Sequence, residues 1–303
     1  MSKIPEMVSK LNVLVVGDIM LDEYTYGDVT RISPEAPVPV VRVLERTYCL
    51  GGTGNVVRNL CELGVNVTCF SKVGDDKAGL KITEMLEEIG CNSLMVKVPG
   101  GTIVKNRIVA GENMFQMLRI DDENYNSLDR KTTLSALDIL SNNEFDYMII
   151  SDYNKGMINE FLFKKLRNSQ MAPMIVDPKP ANQELYKNCY ILTPNSIEDK
   201  LMNPELFKST VTFKTCGKDG IILRDSTGST HIPTEPVQVY NVSGAGDTVV
   251  AAITACHAID ELDYIDYAKI ANACARYVVQ QPKTSVVPIN EFTKIVEEIL
   301  KEK

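Results

Sequence analysis

The residues of this chain that are best suited to chemistry lie at 241–248, directly before an apolar run at 249–256. Two glycines, Gly244 and Gly246, keep side chains away from the backbone here and leave it open to a ligand. The alanine-rich run predicts a buried helix, so the stretch before it would form a turn at a helix N-terminus. Unpaired N–H groups and the positive end of the helix dipole make such a terminus an anion site.

Asp247 stands in the first turn of this predicted helix, where a carboxylate would repel a bound phosphate unless it serves a different atom. Two interpretations stay open. In the first, Asp247 is a base that takes a proton from a substrate hydroxyl while the turn holds the phosphoryl charge. In the second, Asp247 only stabilises the helix, by roughly 0.3–1 kcal/mol.

The composition limits the classes of protein to which the chain can belong. It has 303 residues, of which 44% are hydrophobic and 24% are charged, which suits one large α/β domain or two modest ones. The formal net charge of −8 argues against an extended nucleic-acid or anionic-membrane surface. An anionic substrate would therefore be held by a local cluster of basic groups and backbone N–H donors.

Cysteine and histidine usage narrows the chemistry further. Eight cysteines are scattered without paired spacing, which indicates reduced thiols in a cytoplasmic protein. Residues 1–10 contain no apolar signal core, and no run approaches membrane-spanning length. The two histidines, His231 and His257, are too few for a histidine-based triad or metal site, and we expect packing or surface roles for both. Acid–base chemistry therefore falls to carboxylates.

A continuous apolar run at 12–16 predicts a buried parallel strand that ends at Gly17. Ligands of parallel α/β sheets bind beyond the carboxyl ends of the strands. Asp18 and Asp22 are therefore placed to accept hydrogen bonds from sugar hydroxyls. The alternative is that Asp18 only organises a turn after the strand.

A glycine-rich stretch at 51–55 opens a predicted helix that ends at Gly64. Gly51 and Gly52 allow a ligand or the backbone to approach closely, and Asn55 can hydrogen-bond to hydroxyl groups. The third glycine of a dinucleotide-binding fingerprint is missing here. The chain also contains neither a G-x-x-x-x-G-K-[ST] phosphate loop nor a G-x-S-x-G nucleophile elbow, which excludes those classes of site.

Two separate segments predict a small sheet outside the main fold, as a lid, a dimer contact or both. Three prolines among residues 34–39 favour an edge strand or a stiff flap. Lys105 and Arg107 alternate along one face, which suits an anionic substrate or an ordinary solvated strand. The predicted strands are 24–27, 38–43, 102–109 and 114–120, with a turn at 110–113 between the last two.

The rest of the chain alternates strands and helices, which predicts a mainly parallel sheet flanked by helices. Polar residues follow several strand ends, at 151–156, 177–179, 193–198 and 215–220. We expect one domain over residues 1–303, with a discontinuous lid from about 23–46 and 100–120. Further strands are predicted at 65–72, 146–151, 173–177, 189–193 and 210–215 with a hairpin at 220–233, and helices after 75–76 and at 129–141, 158–169, 245–258, 265–280 and 290–301.

These residues together resemble the ribokinase-like (pfkB) family of carbohydrate kinases. Residues 242–248 match the second family signature, and residues 51–55 match the N-terminal glycine motif. Within the family, the chain is most similar to the kinase domain that acts on heptose 7-phosphate in bacterial ADP-heptose biosynthesis. This closer likeness lies at 17–24, 31–40, 151–156, 177–179 and 192–195, of which the run R-I-S-P-E-A-P at 31–37 is the most specific.

The resemblance implies a ribokinase-like three-layer α/β fold with a small β-sheet lid. It also implies transfer of the γ-phosphoryl group of ATP to the anomeric hydroxyl of D-glycero-D-manno-heptose 7-phosphate. The products would be heptose 1,7-bisphosphate and ADP. Asp247 matches the base of the family, and the turn Ser243-Gly244-Ala245-Gly246 matches its anion hole.

Further site positions follow from the same resemblance. Asn195 and Glu198 match the N-x-x-E pair that organises Mg²⁺ through water. Sugar contacts are expected at Asp18, Asp22, Gly51, Gly52 and Asn55. Candidates for the substrate phosphate or the transferred group are Lys105, Arg107, Lys155 and Lys179. Nucleotide contacts are expected at Asn195, Lys214, Gly217, Gly220, Ser243 and Asn272.

The chain departs from the family pattern at four places. Asn241 replaces a usual aspartate, which puts activation by a monovalent cation in doubt. Residues 280–285 replace a glycine-bearing run expected beside the nucleotide, and residues 115–116 differ from the glutamine pair of the heptose kinases. Because the sequence stops at 303, we expect a separate protein to perform the nucleotidyl transfer step.

Two other functions stay open at this point: a pfkB kinase of another sugar or sugar phosphate, and a catalytically silent sugar- or nucleotide-binding regulator. The intact Asp247 and the Asn195/Glu198 pair argue against a silent protein, which needs no base. The expected partners are ATP, a sugar phosphate and Mg²⁺, without nucleic acid or membrane. We also expect a homodimer formed through the lid.

Overall fold

The computed structural model describes residues 2–111, 115–281 and 283–303. Within these residues the chain forms two β-sheets. Their strands, in chain order, are β1 (Asn12–Gly17), β2 (Ile19–Ile32), β3 (Pro39–Gly52), β4 (Asn66–Gly74), β5 (Asn92–Val98), β6 (Val104–Ala110), β7 (Phe115–Asp122), β8 (Tyr147–Ser151), β9 (Met174–Asp177), β10 (Ile191–Leu192), β11 (Val211–Thr215), β12 (Ile221–Asp225) and β13 (Gly228–Ile232).

Helices connect most of these strands. The α-helices are α1 (Ile4–Val8), α2 (Thr53–Glu62), α3 (Lys77–Glu88), α4 (Arg130–Leu140), α5 (Glu160–Ser169), α6 (Ser196–Leu201), α7 (Ala245–Cys256), α8 (Tyr264–Val279) and α9 (Ile289–Lys301). Short 3-10 helices occupy Pro180–Tyr186, Pro204–Phe207 and Gly217–Asp219.

The larger sheet has the strand order β13-β12-β11-β10-β9-β8-β1-β4-β5. Neighbours from β11 to β5 pair in parallel, while β12 and β13 add an antiparallel hairpin. The chain leaves β1 toward β4 and β5 and later continues on the other side through β8 and β9, so the strand order reverses between β1 and β8. Residues beyond the carboxyl ends of β1 and β8 therefore meet in the crevice where open α/β sheets bind ligands.

Helices cover both faces of the larger sheet because its central strands are apolar on both sides. In β1, Val13 and Val15 pack into one hydrophobic core, while Leu14 and Val16 pack into a second. The first core includes side chains of α2, α3, α7, α8 and α9, and the second includes side chains of α4 and α5. The predicted three-layer α/β fold is confirmed.

The smaller sheet, made of β2, β3, β6 and β7, corresponds to the predicted lid and is called the lid here; its strand order is β3-β2-β6-β7. Antiparallel pairing of β2 with β3 and parallel pairing of β2 with β6 join the two predicted segments into one sheet. Strands β2 and β3 each have 14 residues, so the short strands predicted at 24–27 and 38–43 were wrong in length. The buried ends of β2 and β3 contain aspartate and glycine residues, so this part of the sequence resembles a loop.

Strand β5 and helix α6 were not predicted from the sequence, and the reason is local in each case. Strand β5 lies at the sheet edge and is only half buried, so it lacks the apolar run of the central strands. Helix α6 has six residues and leaves Ile197 and Leu201 exposed, so no amphipathic pattern marks it. The turn predicted at 110–113 and the start of the strand predicted at 114 lie partly outside the described residues.

Cysteines and histidines have the predicted structural roles. All eight cysteines are free thiols. His257 follows the last residue of α7, far along that helix from Asp247, and its ring centroid lies 4.4 Å from that of Tyr147 and 4.8 Å from that of Tyr267. His231 lies in β13. Across the described ranges, none of the helices is long and apolar enough to span a membrane.

Candidate active site

Helix α7 begins at Ala245, so the predicted turn does lie at a helix N-terminus. Gly244 has a φ of 83°, in the left-handed region that favours glycine. A Cβ at this position would lie 2.4 Å from Asn55 Nδ2, so only glycine lets Asn55 reach the turn. A Cβ on Gly246 would meet no atom within 4 Å, which leaves open space over the first turn of α7. The terminus therefore fits the expected anion site.

Asp247 is buried in this first turn, with 6% of its surface exposed. Asn55 donates from Nδ2 to Oδ2 at 2.8 Å, and the Tyr153 hydroxyl donates to Oδ1 at 2.7 Å. Burial raises the pKa of Asp247 to about 6, although both donors act to lower it. A carboxylate with this pKa is ionised at neutral pH and still accepts a proton, which suits a general base.

Asn55 also offers an acceptor to a ligand. Its Oδ1 atom is buried and has no hydrogen-bond partner among the residues that the structure describes. The Nδ2 atom of the same side chain is held by Asp247, which fixes the orientation of the amide. A buried acceptor without a donor costs free energy that a substrate hydroxyl would recover. The predicted role of Asn55 in reading a hydroxyl therefore fits its surroundings.

Tyr153 contacts Asp247 directly, yet its sequence position had suggested no role for it. It follows β8 by two residues and lies within the stretch 151–156 that matched the family. Its ring centroid is 5.4 Å from Lys179 Nζ and 6.0 Å from Lys105 Nζ, within the range of cation–π attraction. Its position just beyond the carboxyl end of a central strand was the signal that could have identified it.

The Asp18 carboxylate accepts hydrogen bonds from the backbone. The N–H groups of Tyr153 and Lys155 each donate to Oδ2 at 3.0 Å, and that of Met157 donates to Oδ1 at 2.8 Å. Asp18 is almost completely buried. Asp18 was predicted to contact the sugar, but these three donors favour the alternative in which it organises the backbone. It fixes the loop after β8 that carries Tyr153.

Asp22 lies at the buried base of the lid and faces Arg107 of β6. Arg107 donates from a terminal nitrogen to Asp22 Oδ1 at 2.7 Å, and both side chains are largely buried. A Cβ on Gly51 would lie 2.6 Å from Asp22 Oδ2, and one on Gly52 would lie 2.5 Å from the backbone oxygen of Asp18. Both glycines therefore let β3 pass close beside the two aspartates.

Most of the basic residues predicted to bind the substrate phosphate are already paired with carboxylates. The ion pairs are Arg107 with Asp22, Lys155 with Glu123 and Lys179 with Glu198. Lys105 differs, because it forms no ion pair within the described residues and its ammonium group lies over the Tyr153 ring. Lys105 is therefore the predicted phosphate ligand with its charge most available.

Asn195 and Glu198 form a capping box at the start of α6. Asn195 Oδ1 accepts from the N–H groups of Ile197 and Glu198 at 2.9 and 3.0 Å, and Glu198 Oε2 accepts from the N–H of Asn195 at 2.9 Å. Glu198 Oε1 pairs with Lys179. Carboxylate oxygens keep further lone pairs for water, so the pair fits a metal held through water. In the part of the chain that is described, no group of three or more His, Cys, Asp or Glu could hold a metal directly.

Two of the residues predicted to contact the nucleotide, Asn272 and Gly220, meet at the carbonyl of Ile232 at the end of β13. Asn272 donates from Nδ2 to this carbonyl at 3.0 Å. Gly220 has a φ of 87°, and a Cβ there would lie 2.3 Å from the same oxygen. Gly217 has a φ of 58° and would meet nothing within 4 Å, so it faces open space. Asn272 and Gly220 therefore shape the backbone, and Gly217 leaves room for a ligand.

Two other predicted nucleotide contacts are engaged within the protein. Lys214 pairs with Asp199 at 2.9 Å, so its charge is partly neutralised. The N–H of Ser243 donates to Asn241 Oδ1 at 2.9 Å, which shows what Asn241 does in place of the aspartate usual in the family. It shapes the turn before α7. Pro282, within the divergent stretch 280–285, lies outside the described residues.

A sequence profile described as "pfkB family carbohydrate kinase" matches residues 10–290. The chain belongs to the pfkB family of carbohydrate kinases. Membership of this family favours a carbohydrate kinase over a silent binding protein.

Two relatives of this pfkB kinase are similar along nearly all of its length. A D-beta-D-heptose 7-phosphate kinase of Bordetella bronchiseptica is 34% identical, and the match covers 95% of this chain and 96% of that protein. The bifunctional protein HldE of Campylobacter concisus is 36% identical over 96% of this chain and 65% of the relative. The kinase thus spans about 65% of the length of that bifunctional relative.

Solved structures support the same fold for this pfkB kinase. Phosphofructokinase-2 from Escherichia coli, in complex with potassium, superimposes with a TM-score of 0.78 at 18% identity, covering 96% of this chain and 99% of the other. Ribokinase of Arabidopsis thaliana, complexed with ribose and ATP, gives a TM-score of 0.71 at 19% identity, covering 96% and 98%. At these identities the likeness establishes the fold.

The turn before α7 yields a stability prediction. Gly244→Ala should lower the free energy of unfolding by about 1–3 kcal/mol, because alanine must adopt a positive φ and its methyl group would displace Asn55. Urea unfolding of the purified variant measures this loss. Gly246→Ala is the matched control, since this residue lies within α7 and its Cβ meets open space; alanine should leave stability unchanged or raise it by up to about 1 kcal/mol. Equal losses in the two variants would contradict the prediction.

Proposed function

We propose that this kinase transfers the γ-phosphoryl group of ATP to the anomeric hydroxyl of D-glycero-D-manno-heptose 7-phosphate. The observation that carries the proposal is the buried Asp247 carboxylate at the N-terminus of α7, held by Asn55 and Tyr153. The choice of sugar is supported by 34% identity to a kinase named for heptose 7-phosphate, over 96% of that protein's length. The products are heptose 1,7-bisphosphate and ADP.

Asp247 acts as the general base in this proposal. It takes the proton of the anomeric hydroxyl as the hydroxyl oxygen attacks the γ-phosphorus, and the bond from that phosphorus to the bridging oxygen of ADP breaks. The proton then resides on Asp247. Since the pKa of Asp247 is raised to about 6, the proton is released to solvent at neutral pH after each turnover.

The anion hole and the metal complete the phosphoryl-transfer site. The backbone of Ser243, Gly244, Ala245 and Gly246 faces the transferred group, where the open space over Gly246 admits it. Asn195 and Glu198 would hold Mg²⁺ through water, and the ion would neutralise charge on the ATP phosphates. Lys179, paired with Glu198, lies beside the same phosphates. The base of ATP binds near Gly217.

The sugar lies between Asn55, Asp22 and the lid. The unpartnered Oδ1 of Asn55 accepts a hydrogen bond from one sugar hydroxyl. Asp22 Oδ2 lies beside Gly51, which has no side chain, and it accepts a hydrogen bond from a second hydroxyl. The 7-phosphate binds Lys105, because that ammonium group has no carboxylate partner within the described residues. Arg107 contributes by holding Asp22 in place.

The substrate is tested by ADP release from ATP with heptose 7-phosphate, ribose, fructose, fructose 6-phosphate and a nucleoside. Turnover should be confined to the heptose phosphate and should fall at least about 100-fold in Asp247→Asn, since general-base assistance contributes roughly 10²–10⁴ in rate. Sugar binding should remain nearly unchanged in that variant.

Each result in this panel has a distinct meaning. Turnover of a different sugar or sugar phosphate would change the substrate assignment and would leave Asp247 as the proposed base. Turnover that persists in Asp247→Asn would remove the base assignment whichever sugar reacts.

The two lid cations should respond differently to substitution. Lys105→Ala should raise KM for the sugar phosphate by about 10-fold or more and leave KM for the unphosphorylated sugar unchanged, because a charged hydrogen bond contributes about 1.5–3 kcal/mol. Arg107→Ala should raise both KM values, since it removes the partner of Asp22. Steady-state kinetics with both sugars measure this. A Lys105→Ala variant that treats the two sugars alike would contradict the phosphate role.

We also propose that the kinase forms a homodimer through the lid. Large apolar side chains of the lid remain exposed, among them Leu44 at 61%, Phe115 at 64% and Leu118 at 57%. Such a concentration on one small sheet marks an interaction surface. A second copy of the chain covers it most simply, because a two-fold axis brings identical apolar faces together.

The dimer is tested by sedimentation velocity at micromolar protein concentration. The wild type should sediment as a dimer, and a Leu44→Lys/Leu118→Lys double variant should shift toward monomer. Leu80→Lys is the matched control, because Leu80 is 62% exposed but lies on α3, outside the lid. A monomeric wild type, or a double variant that stays dimeric, would overturn the proposal.

A further inference from the structure

Tyr153 stands where three parts of the site meet. Its hydroxyl donates to Asp247 Oδ1 at 2.7 Å, and its backbone N–H donates to Asp18 Oδ2 at 3.0 Å. Its ring faces the ammonium groups of Lys105 from the lid and Lys179 from the body. One side chain thus links Asp247 to the ammonium groups of two lysines from different parts of the fold.

We propose that Tyr153 is a positioning residue that holds the Asp247 carboxylate in the orientation needed to take the proton of the substrate hydroxyl. The inference rests on the base role proposed above for Asp247. Tyr153 does not need to touch the sugar or the ATP in order to act in this way.

The direction of the hydrogen bond follows from the surroundings of Tyr153. Burial raises the pKa of the Tyr153 hydroxyl well above its usual value, and the nearby Asp247 and Asp177 carboxylates raise it further. The hydroxyl therefore stays protonated throughout the range in which Asp247 titrates. It acts as a permanent donor, and Asp247 accepts.

Two donors on opposite oxygens fix the plane of the carboxylate. Asn55 approaches Oδ2 from α2, and Tyr153 approaches Oδ1 from the loop after β8. Each carboxylate oxygen has about two lone pairs, so each keeps one free for a substrate hydroxyl. Without the Tyr153 hydroxyl, one oxygen loses its donor and the carboxylate is free to turn about the Cβ–Cγ bond. Loss of alignment lowers the rate even when the sugar still binds.

The same contact sets how Asp247 responds to pH. The charged and titratable groups that face Asp247 are Asp22 from β2, Asp177 at the end of β9, Lys179 just beyond it and Tyr153. Asp22 raises the pKa of Asp247, whereas Lys179 and the Tyr153 donor lower it. Removing the donor therefore raises that pKa above about 6. The acid limb of the rate profile then moves to higher pH.

The test compares wild type, Tyr153→Phe and Tyr186→Phe in kcat and KM from about pH 5 to about pH 9. Tyr153→Phe keeps the ring beneath Lys105 and Lys179 and removes only the hydroxyl. Tyr186→Phe is the matched control, because its hydroxyl donates to Asp152 in the same loop and not to Asp247. Ionisation of the substrate phosphate is common to all three proteins, so differences between profiles report on the protein.

Tyr153→Phe should lower kcat by about 10- to 100-fold on the alkaline plateau, with KM for both substrates within about twofold of wild type. Its acid limb should lie about one pH unit higher. The value of kcat on the alkaline plateau reports on alignment alone. A higher pKa by itself would make Asp247 a stronger base and would not lower kcat there. Tyr186→Phe should keep the acid limb of the wild type.

Three results would overturn the inference. They are a Tyr153→Phe profile that matches wild type, equal shifts in the two tyrosine variants, and a loss in Tyr153→Phe that appears only in KM. Asp247→Asn separates this failure from that of the proposed function. If Asp247→Asn is inactive while Tyr153→Phe behaves as wild type, the base stands and the positioning role falls. If Asp247→Asn keeps its turnover, the base itself is wrong.

Discussion

The rest of the site depends on keeping a negative charge buried at the start of a helix. Water no longer solvates the Asp247 carboxylate, and burial raises its pKa to about 6. Asn55, Tyr153 and the N-terminus of α7 supply the donors and positive potential that keep it ionised at neutral pH. Each of these partners comes from a different element, so the balance exists only when α2, the loop after β8 and α7 are packed together.

Asp18 connects this balance to the topology of the sheet. It follows the carboxyl end of β1 and takes three backbone N–H groups from the loop after β8, the neighbouring strand at the point where the strand order reverses. A crevice at this point is common to open α/β sheets. Here the buried Asp18 carboxylate ties the loop after β8 to the end of β1, and one of its contacts holds the N–H of Tyr153, whose hydroxyl reaches Asp247.

Ion pairs connect the charged side chains of the site to one another. The pairs Arg107–Asp22, Lys155–Glu123 and Lys179–Glu198 each join elements that are distant in sequence, and the first links two lid strands at the base of the lid. Breaking a largely buried pair leaves an uncompensated charge, which costs more than an exposed pair contributes. Lys105 is arranged differently: it forms no ion pair within the described residues, and its ammonium group lies 6.0 Å from the centroid of the Tyr153 ring.

The sequence by itself determined the mainly parallel sheet with its flanking helices, the turn before α7 and the choice of Asp247 as candidate base. Apolar runs, alternation and glycine positions act locally, so they can be read within a few residues. It did not reveal Tyr153, decide between the two roles open to Asp18, or show the pairing that distinguishes Lys105 from the other cations. Tyr153 and Asp247 are 94 positions apart, and Asn55 and Asp247 are 192 apart. Only the tertiary structure decides such contacts, because a hydrogen bond or ion pair depends on distance in space and no local pattern encodes that distance.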